Sequence, residues 1–228
     1  MKSKFFLVCL FAIIVSMFIS CNFSSMNSKF VNPKILNQYN ASVSIGDITG
    51  NIFGSGTVIK KDDKIFVITA AHVIEGFKKR KIAPHIITRY FTKPIKAKIV
   101  KMNSARDLAL LKMSIRDSKI KWFAKISTSH PRIGDHVWLI GSPHDQPNTV
   151  TDGVVSRRMI FARKGYKERI TIMGSTAHGF FGSSGGGVFN DKGELIGVFN
   201  VIAHIFGYGH LPGGNYFIPL QYLQDFLK

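Results

Sequence analysis

Three short segments contain the residue types that nucleophilic attack on an acyl carbon requires. His72 follows an apolar segment, Asp107 opens the apolar segment Leu108–Lys112, and Ser184 lies in the glycine-rich segment Gly182–Gly186. Acyl transfer by serine needs a base that holds a proton near neutral pH, and histidine is that side chain. It also needs a carboxylate that fixes the histidine tautomer, and backbone N–H groups that stabilise the developing oxyanion. The sequence supplies all of these parts.

Each segment has a simpler interpretation when it is considered alone. His72 could be an ordinary packed or surface histidine, Asp107 a turn residue at the start of a strand, and the segment 182–187 a flexible loop of glycine and serine. Their combination, in the order His, Asp and Ser, favours the catalytic interpretation. This order distinguishes the trypsin-like arrangement from subtilisins and α/β-hydrolases.

The elements that must position these residues have the pattern of short strands. Apolar segments broken by turn residues predict strands at 52–59, 65–69, 86–90, 95–100, 108–112, 136–140, 149–156, 169–173, 194–201 and 216–218. Helical spacing is convincing only near the end of the chain, where Leu220, Leu223, Phe226 and Leu227 share one face. The pattern predicts an all-β barrel or sandwich.

The region from about Tyr39 to Lys228 resembles the protease domain of the HtrA (Deg) branch of the trypsin-like serine proteases. The segments that carry the resemblance are Gly54–Ile59, Thr69–Val73, Asp107–Lys112, Gly141–Pro143 with Thr149–Ser156, Gly182–Gly186, Gly193–Val198 and Asn215–Leu220. The resemblance implies two six-stranded antiparallel β-barrels with the active site in the cleft between them, followed by a short C-terminal helix. We expect barrel one at about 38–125, barrel two at about 126–218 and the helix at 219–228.

The resemblance also implies a role for each residue of the site. His72 would be the general base, Asp107 its orienting carboxylate and Ser184 the nucleophile. The backbone amides of Gly182, Ser183 and Ser184 would form the oxyanion hole. Because the chain stops at the closing helix, we expect no room for the PDZ domain that is typical of HtrA proteins.

In trypsin-like enzymes, the substrate residue before the scissile bond enters a pocket beside the nucleophile loop. The matching positions here are His178, which could equally be a plain loop residue, and the strand residues Phe199, Asn200, Val201 and Ile202. No carboxylate occupies either segment, so a substrate Lys or Arg would lack a counter-ion. The apolar walls favour a small or medium aliphatic residue, as the resemblance also implies.

The N-terminus has the pattern of a targeting segment. Lys2 and Lys4 precede the segment 5–19, which contains no charged residue, and Ser20-Cys21 then resembles the lipobox of bacterial lipoproteins. An uncleaved signal anchor and a cleaved secretory signal are the alternatives. All three interpretations export the domain to the cell envelope or beyond it. The polar segment 22–37 would be a tether to the folded domain.

Composition limits the remaining possibilities. Hydrophobic residues make up 45% of the 228 residues, which excludes a disordered chain. The net charge of +18 favours anionic partners such as a membrane surface. The basic segment 78–81 has the pattern of a solvated loop.

The sequence predicts no metal site, no cofactor and no specific nucleic-acid partner. It predicts a serine endopeptidase acting on proteins or peptides, with a chaperone-like module or a basic envelope-binding module as the alternative.

Cys21 provides a test of the lipoprotein interpretation. We expect the mature protein to carry diacylated Cys21 and to partition into the membrane fraction, where basic residues near an anionic leaflet each add about 1 kcal/mol. Cys21→Ser should abolish incorporation of a labelled fatty acid. A mass spectrum showing an intact Met1, or an unmodified N-terminus at another residue, would exclude lipidation but not export.

Overall fold

The strands close into two antiparallel barrels of six strands each, as predicted. The computed structural model describes residues 31–205 and 209–228. The first barrel consists of β1 (Ser42–Gly46), β2 (Ile52–Lys61), β3 (Lys64–Thr69), β4 (His85–Ile87), β5 (Ile95–Asn103) and β6 (Leu108–Met113). The second consists of β7 (His136–Gly141), β8 (Thr149–Ala162), β9 (Arg169–Ser175), β10 (Gly187–Phe189), β11 (Leu195–Ile205) and β12 (Gly209–Pro219). The strand orders are β1-β2-β3-β6-β5-β4 and β10-β11-β12-β9-β8-β7.

The β2–β3 hairpin illustrates how local sequence sets the register. Lys61 pairs with Lys64, so that only Asp62 and Asp63 form the turn. Both turn residues have positive φ, at 48° and 58°. Aspartate tolerates this region better than most residues, and two positive φ values match the right-handed twist of the flanking strands. The hairpin fixes the register of β3 against β2, and the far end of β3 leads directly into the segment that carries His72.

Apolar side chains fill both barrels and continue from one into the other. In the first barrel, Ile59, Ile68 and Leu111 have no exposed surface, and the same cluster extends to Phe189 and Ile218 of the second barrel. A second cluster in the second barrel consists of Val137, Leu139, Val155, Met173, Ala177, Val188, Ile196, Phe199 and Phe217. Because the core crosses from one barrel to the other, burial of apolar surface stabilises their association.

The structure contains a central helix that the sequence pattern did not predict. It follows a short helix, α1 (Leu36–Ala41), and precedes the predicted C-terminal helix, α3 (Leu220–Leu227). This central helix, α2 (Ala71–Arg80), buries Ala71, Ile74 and Phe77 against the core. The basic segment 78–81 is therefore the last turn of a helix and its cap rather than a loop, and its positive charges lie at the favourable end of the helix dipole.

The N-terminal boundary of the folded part lies earlier than the predicted tether allows. Pro33–Ile35 form a 3-10 helix that leads into α1, and the Ile35 side chain is only 5% exposed. Residues 33–37, which the sequence assigned to the tether, therefore belong to the folded part of the chain. The targeting segment and Cys21 lie outside the described residues.

None of the helices in the described residues combines the length and the apolar character needed to cross a membrane. No group of three or more His, Cys, Asp or Glu side chains in that part of the chain is arranged to hold a metal ion.

Candidate active site

His72 lies in the first turn of α2, immediately after β3. Thr69 at the end of β3 donates its hydroxyl to the Ser55 carbonyl at 2.7 Å, which ties β3 to β2 just before the helix begins. The extended residue Ala70 then turns the chain into α2. The imidazole is one-third exposed, because it lies at the edge of the barrel rather than inside it.

Asp107 lies in the turn between β5 and β6, directly opposite the start of α2. Its carboxylate is 4% exposed. Oδ1 accepts a hydrogen bond from the His72 backbone amide at 2.7 Å, and Oδ2 lies 2.6 Å from His72 Nδ1. The Asp107 carbonyl accepts the Ala71 amide at 3.1 Å, and Asp107 itself has a positive φ of 54°. This backbone geometry directs the carboxylate at the helix that carries the imidazole.

Asn200 on β11 contacts both Asp107 and Ser184. Its side-chain Nδ2 donates to Asp107 Oδ2 at 2.6 Å, and its backbone carbonyl accepts the Ser184 hydroxyl at 3.2 Å. The sequence assigned Asn200 to the substrate pocket. The structure places its side chain against the carboxylate instead, 5% exposed.

Ser184 lies in the loop between β9 and β10, across the cleft from the first barrel. His72, Asp107, Ser184 and Asn200 all line one cleft with a volume of about 720 Å³. Among the described residues, the Ser184 hydroxyl bonds to the Asn200 carbonyl and not to the imidazole. The hydrogen bond between a catalytic hydroxyl and its base often forms only when substrate binds.

Ser55 on β2 holds the loop that carries Ser184 against the first barrel. Its amide donates to the Ser184 carbonyl at 2.7 Å, and its hydroxyl donates to the Gly182 carbonyl at 2.6 Å. The same hydroxyl accepts the Ser142 amide at 2.8 Å. Ser55 is fully buried. Sequence reasoning used it only as part of a family motif and missed this role.

The backbone amides around Ser184 divide into two groups. The Ser183 amide donates to the Phe180 carbonyl at 2.9 Å and is thus engaged within the loop. The Phe181 carbonyl accepts the His144 amide at 2.9 Å, so the Gly182 N–H of the same trans peptide points away from His144. Neither Gly182 nor Ser184 donates its amide to any acceptor within residues 31–205 and 209–228. These two donors are available to a ligand.

An ion-pair network lies behind Asp107. Arg163 at the β8–β9 turn lies 3.4 Å from Asp107 Oδ1 and 2.7 Å from Glu75 Oε2 on α2. Burial opposes ionisation of Glu75, but hydrogen bonds from Arg163 and Ser104 outweigh it and hold the pKa of Glu75 below its usual value. No local sequence pattern indicates these contacts, because the residues are far apart along the chain.

The predicted pocket residues do not share one surface. His178 lines a separate cavity of about 180 Å³, together with His144 and Phe180. Phe199 is 1% exposed, and its ring lies so close to Gly179 that a Cβ there would be 2.2 Å from Cζ. Val201 and Ile202 belong to β11, but their side chains lie outside the described part of the structure.

Comparison with known proteins decides the family. Residues 54–198 match the model of the trypsin-like peptidase domain. The chain belongs to the trypsin-like peptidase family. The matched segment contains His72, Asp107 and Ser184, and the prediction from the sequence motifs is confirmed at the level of the family.

Relatives of this chain include bacterial serine proteases of the HtrA type. It is 27% identical over 210 residues to the serine endoprotease DegS of Haemophilus influenzae, covering 88% of this chain and 58% of that protein. It is 32% identical over 152 residues to the serine protease Do-like HtrA of Bacillus subtilis, covering 64% of this chain and 32% of that protein. The matched part of the chain thus spans little more than half the length of the Haemophilus influenzae protein and about a third of the length of the Bacillus subtilis protein.

Solved structures show the same fold. A serine endoprotease from Yersinia pestis superposes with a TM-score of 0.64 at 25% identity, covering 84% of this chain and 63% of that one. The active form of the Rv3671c protease from M. tuberculosis superposes with a TM-score of 0.67 at 19% identity, covering 86% of this chain and 83% of that one.

Gly182 offers a test of the amide donors with a matched control. A Cβ at Gly182 would lie 2.3 Å from the Ser142 carbonyl oxygen at a φ of 97°, whereas Gly134 has a φ of 93° and open space around it. Both alanine variants incur about 1 kcal/mol of backbone strain. We expect Gly182→Ala to lower kcat/KM toward a peptide substrate by about 100-fold, because the loop must shift. Gly134→Ala should retain the wild-type rate. Equal rates in the two variants would contradict a role for the Gly182 amide.

Proposed function

We propose that this protein is a serine endopeptidase that cleaves peptide bonds through an acyl-enzyme intermediate. The observation that carries the proposal is the convergence of four groups in one cleft. The His72 imidazole bonds to the buried Asp107 carboxylate, and Asn200 bonds to both Asp107 and Ser184. A pure binding module has no physical need for a buried carboxylate paired with an imidazole beside a serine hydroxyl.

The first chemical step transfers a proton and forms a covalent bond. This step requires the Ser184 side chain to rotate from the Asn200 carbonyl toward the His72 imidazole, which lines the same cleft. The imidazole takes the hydroxyl proton as Oγ attacks the carbonyl carbon of the substrate, and the Asp107 carboxylate stabilises the imidazolium that forms. The Gly182 and Ser184 amides, which have no other acceptor among the described residues, bind the oxyanion.

Collapse of the tetrahedral intermediate completes the acylation. The C–N bond breaks, and the imidazolium donates its proton to the departing amine. Water then enters, loses a proton to His72 and attacks the acyl carbon, which releases the new carboxyl terminus and restores the Ser184 hydroxyl. His72 returns the proton taken from water to Ser184 Oγ, so water is the one co-reactant that the balance requires.

The substrates we propose are protein or peptide chains with a small or medium aliphatic residue before the scissile bond. The Phe199 ring lies over Gly179, at the segment that lines this pocket in trypsin-like enzymes. A buried aromatic ring at that place shortens the pocket. Discrimination by one or two methylenes is about 1–3 kcal/mol, so the preference is broad.

We also propose that the protein works outside the cytoplasm, at a membrane surface. The support is the apolar segment 5–19 followed by Ser20-Cys21, together with the net charge of +18. A basic protein is attracted to anionic lipid head groups, and this attraction weakens as salt concentration increases.

Labelling with a fluorophosphonate probe tests the nucleophile. We expect modification of Ser184, mapped by mass spectrometry, and loss of both labelling and casein hydrolysis in Ser184→Ala. Asp107→Asn should lower kcat by about 10⁴-fold, because the imidazole then takes the wrong tautomer. Ser129→Ala, at an exposed serine outside the cleft, is the control. Undiminished labelling of Ser184→Ala would refute the assignment and favour a binding module.

Phe199 provides the test of the pocket. Phe199→Leu should extend the preference toward larger residues before the scissile bond, because it opens the space over Gly179. Phe189→Leu removes a comparably buried ring from a different core cluster and serves as the control for lost stability. Cleavage sites in casein, mapped by mass spectrometry, supply the readout. Cuts predominantly after Lys, Arg or Glu in the wild type, or identical profiles in the two variants, would contradict the proposed pocket.

A further inference from the structure

We propose that Arg163 is a positioning residue for the active site, which fixes the Asp107 carboxylate from the opposite barrel. The inference rests on the proposed function and adds a residue to it. Arg163 lies just after β8 of the second barrel, whereas Asp107 and His72 belong to the first. Its guanidinium lines the same cleft as His72, Asp107 and Ser184.

Two segments of the first barrel hold the guanidinium in place. Nη2 donates to Glu75 Oε2 at 2.7 Å, and Nη1 donates to Glu75 Oε1 at 3.3 Å, a bidentate contact to α2. Nη1 also donates to the Ser104 carbonyl at 2.6 Å, in the turn that leads to Asp107. The rigid guanidinium fork suits such a bidentate contact, and lysine cannot reproduce it. Arg163 therefore fixes the distance between the helix that carries His72 and the turn that carries Asp107.

The guanidinium also places a positive charge beside the donors that surround the Asp107 carboxylate. Oδ2 faces His72 Nδ1 and Asn200 Nδ2, each at 2.6 Å. Oδ1 faces the His72 amide at 2.7 Å and Arg163 Nη1 at 3.4 Å. With both oxygens occupied on different sides, the carboxylate cannot rotate without losing a partner. Without Arg163, only the His72 amide restrains Oδ1.

The charges along this line alternate. Glu75, Arg163 and Asp107 are negative, positive and negative, and protonated His72 would add a further positive charge. Burial opposes the charged form of Arg163, but the hydrogen bond to Glu75 and the charges of Asp107 and Glu75 outweigh it and raise the pKa of the guanidinium. Burial of a carboxylate costs free energy unless charged or hydrogen-bonded partners surround it. Arg163 supplies a positive charge beside Asp107 both before and after His72 takes its proton.

The test compares Arg163→Gln with Arg158→Gln, an exposed position in β8, the strand that precedes Arg163. The first readout is the proton NMR signal of His72 Nδ1–H in the bond to Asp107, assigned by its loss in Asp107→Asn. We expect this signal to shift or to be lost through exchange in Arg163→Gln and to stay at the wild-type position in Arg158→Gln. An unchanged signal in Arg163→Gln overturns the proposal, whatever the rates.

Kinetics supply the second readout. In Arg163→Gln, kcat should fall about 10- to 100-fold while KM changes less than about twofold, because misplacement of the acid–base pair affects the chemical step. The acid limb of the pH–rate profile should move to higher pH, since loss of a positive charge beside Asp107 favours protonated His72. The other titratable side chains that line the cleft, Arg80, His144 and Asp145, are the same in all variants.

Arg163→Lys separates charge from geometry. It should restore the acid limb of the profile but recover only part of kcat, because an ammonium cannot hold Glu75 and Ser104 together. Full recovery of kcat would overturn the positioning role.

If Arg163→Gln does not fold, Glu75→Gln weakens the same contact and carries the NMR comparison with the same outcomes. If the probe does not label Ser184 in the wild-type protein, the proposed function is refuted. The NMR comparison still decides the role of Arg163 in that case.

Discussion

The relative position of the two barrels is the constraint on which the rest of the site depends. His72 and Asp107 belong to one barrel and Ser184 to the other, so a small shift between the barrels would separate the proposed base from the proposed nucleophile. Ser55 meets this constraint with four hydrogen bonds. It contacts Ser184 and Gly182 in the loop between β9 and β10, Ser142 after β7, and Thr69 just before α2. Because Ser55 is fully buried, water does not compete for these bonds.

Around this fixed frame, the electrostatics centre on one buried carboxylate. The Asp107 carboxylate contacts two donors from His72, a donor from Asn200 and the Arg163 cation. Two of these partners, Asn200 and Arg163, come from the second barrel. Docking of the barrels therefore completes the surroundings of the carboxylate at the same time as it brings Ser184 to the cleft, and the charged group is stable only in the assembled domain.

The part of this arrangement that sequence could predict is the part encoded locally. Apolar segments separated by turn residues predicted most of the strands, and the family motifs located the histidine, aspartate and serine segments. The helix α2 was missed because its apolar positions, Ala71, Ile74 and Phe77, fall within a short segment that ends in four basic residues. The contact of Asn200 with Asp107 joins residues 93 apart along the chain, and no local spacing indicates such a pair. The placement of Ser55 and Arg163 likewise depends on how the barrels dock.

The positive φ of Asp107 has a consequence for how this family can diverge. At 54°, the backbone is in the left-handed region, which Asp and Asn enter far more readily than other residues with a Cβ. Most replacements at this position would therefore damage the turn as well as the contact with His72. Asparagine is the exception, because it keeps the left-handed turn and nearly the same shape while it removes the charge. A single substitution of Asp107 by Asn would therefore give a folded protein without activity. Natural homologues with Asn at this position would be candidates for proteins that kept the cleft for binding.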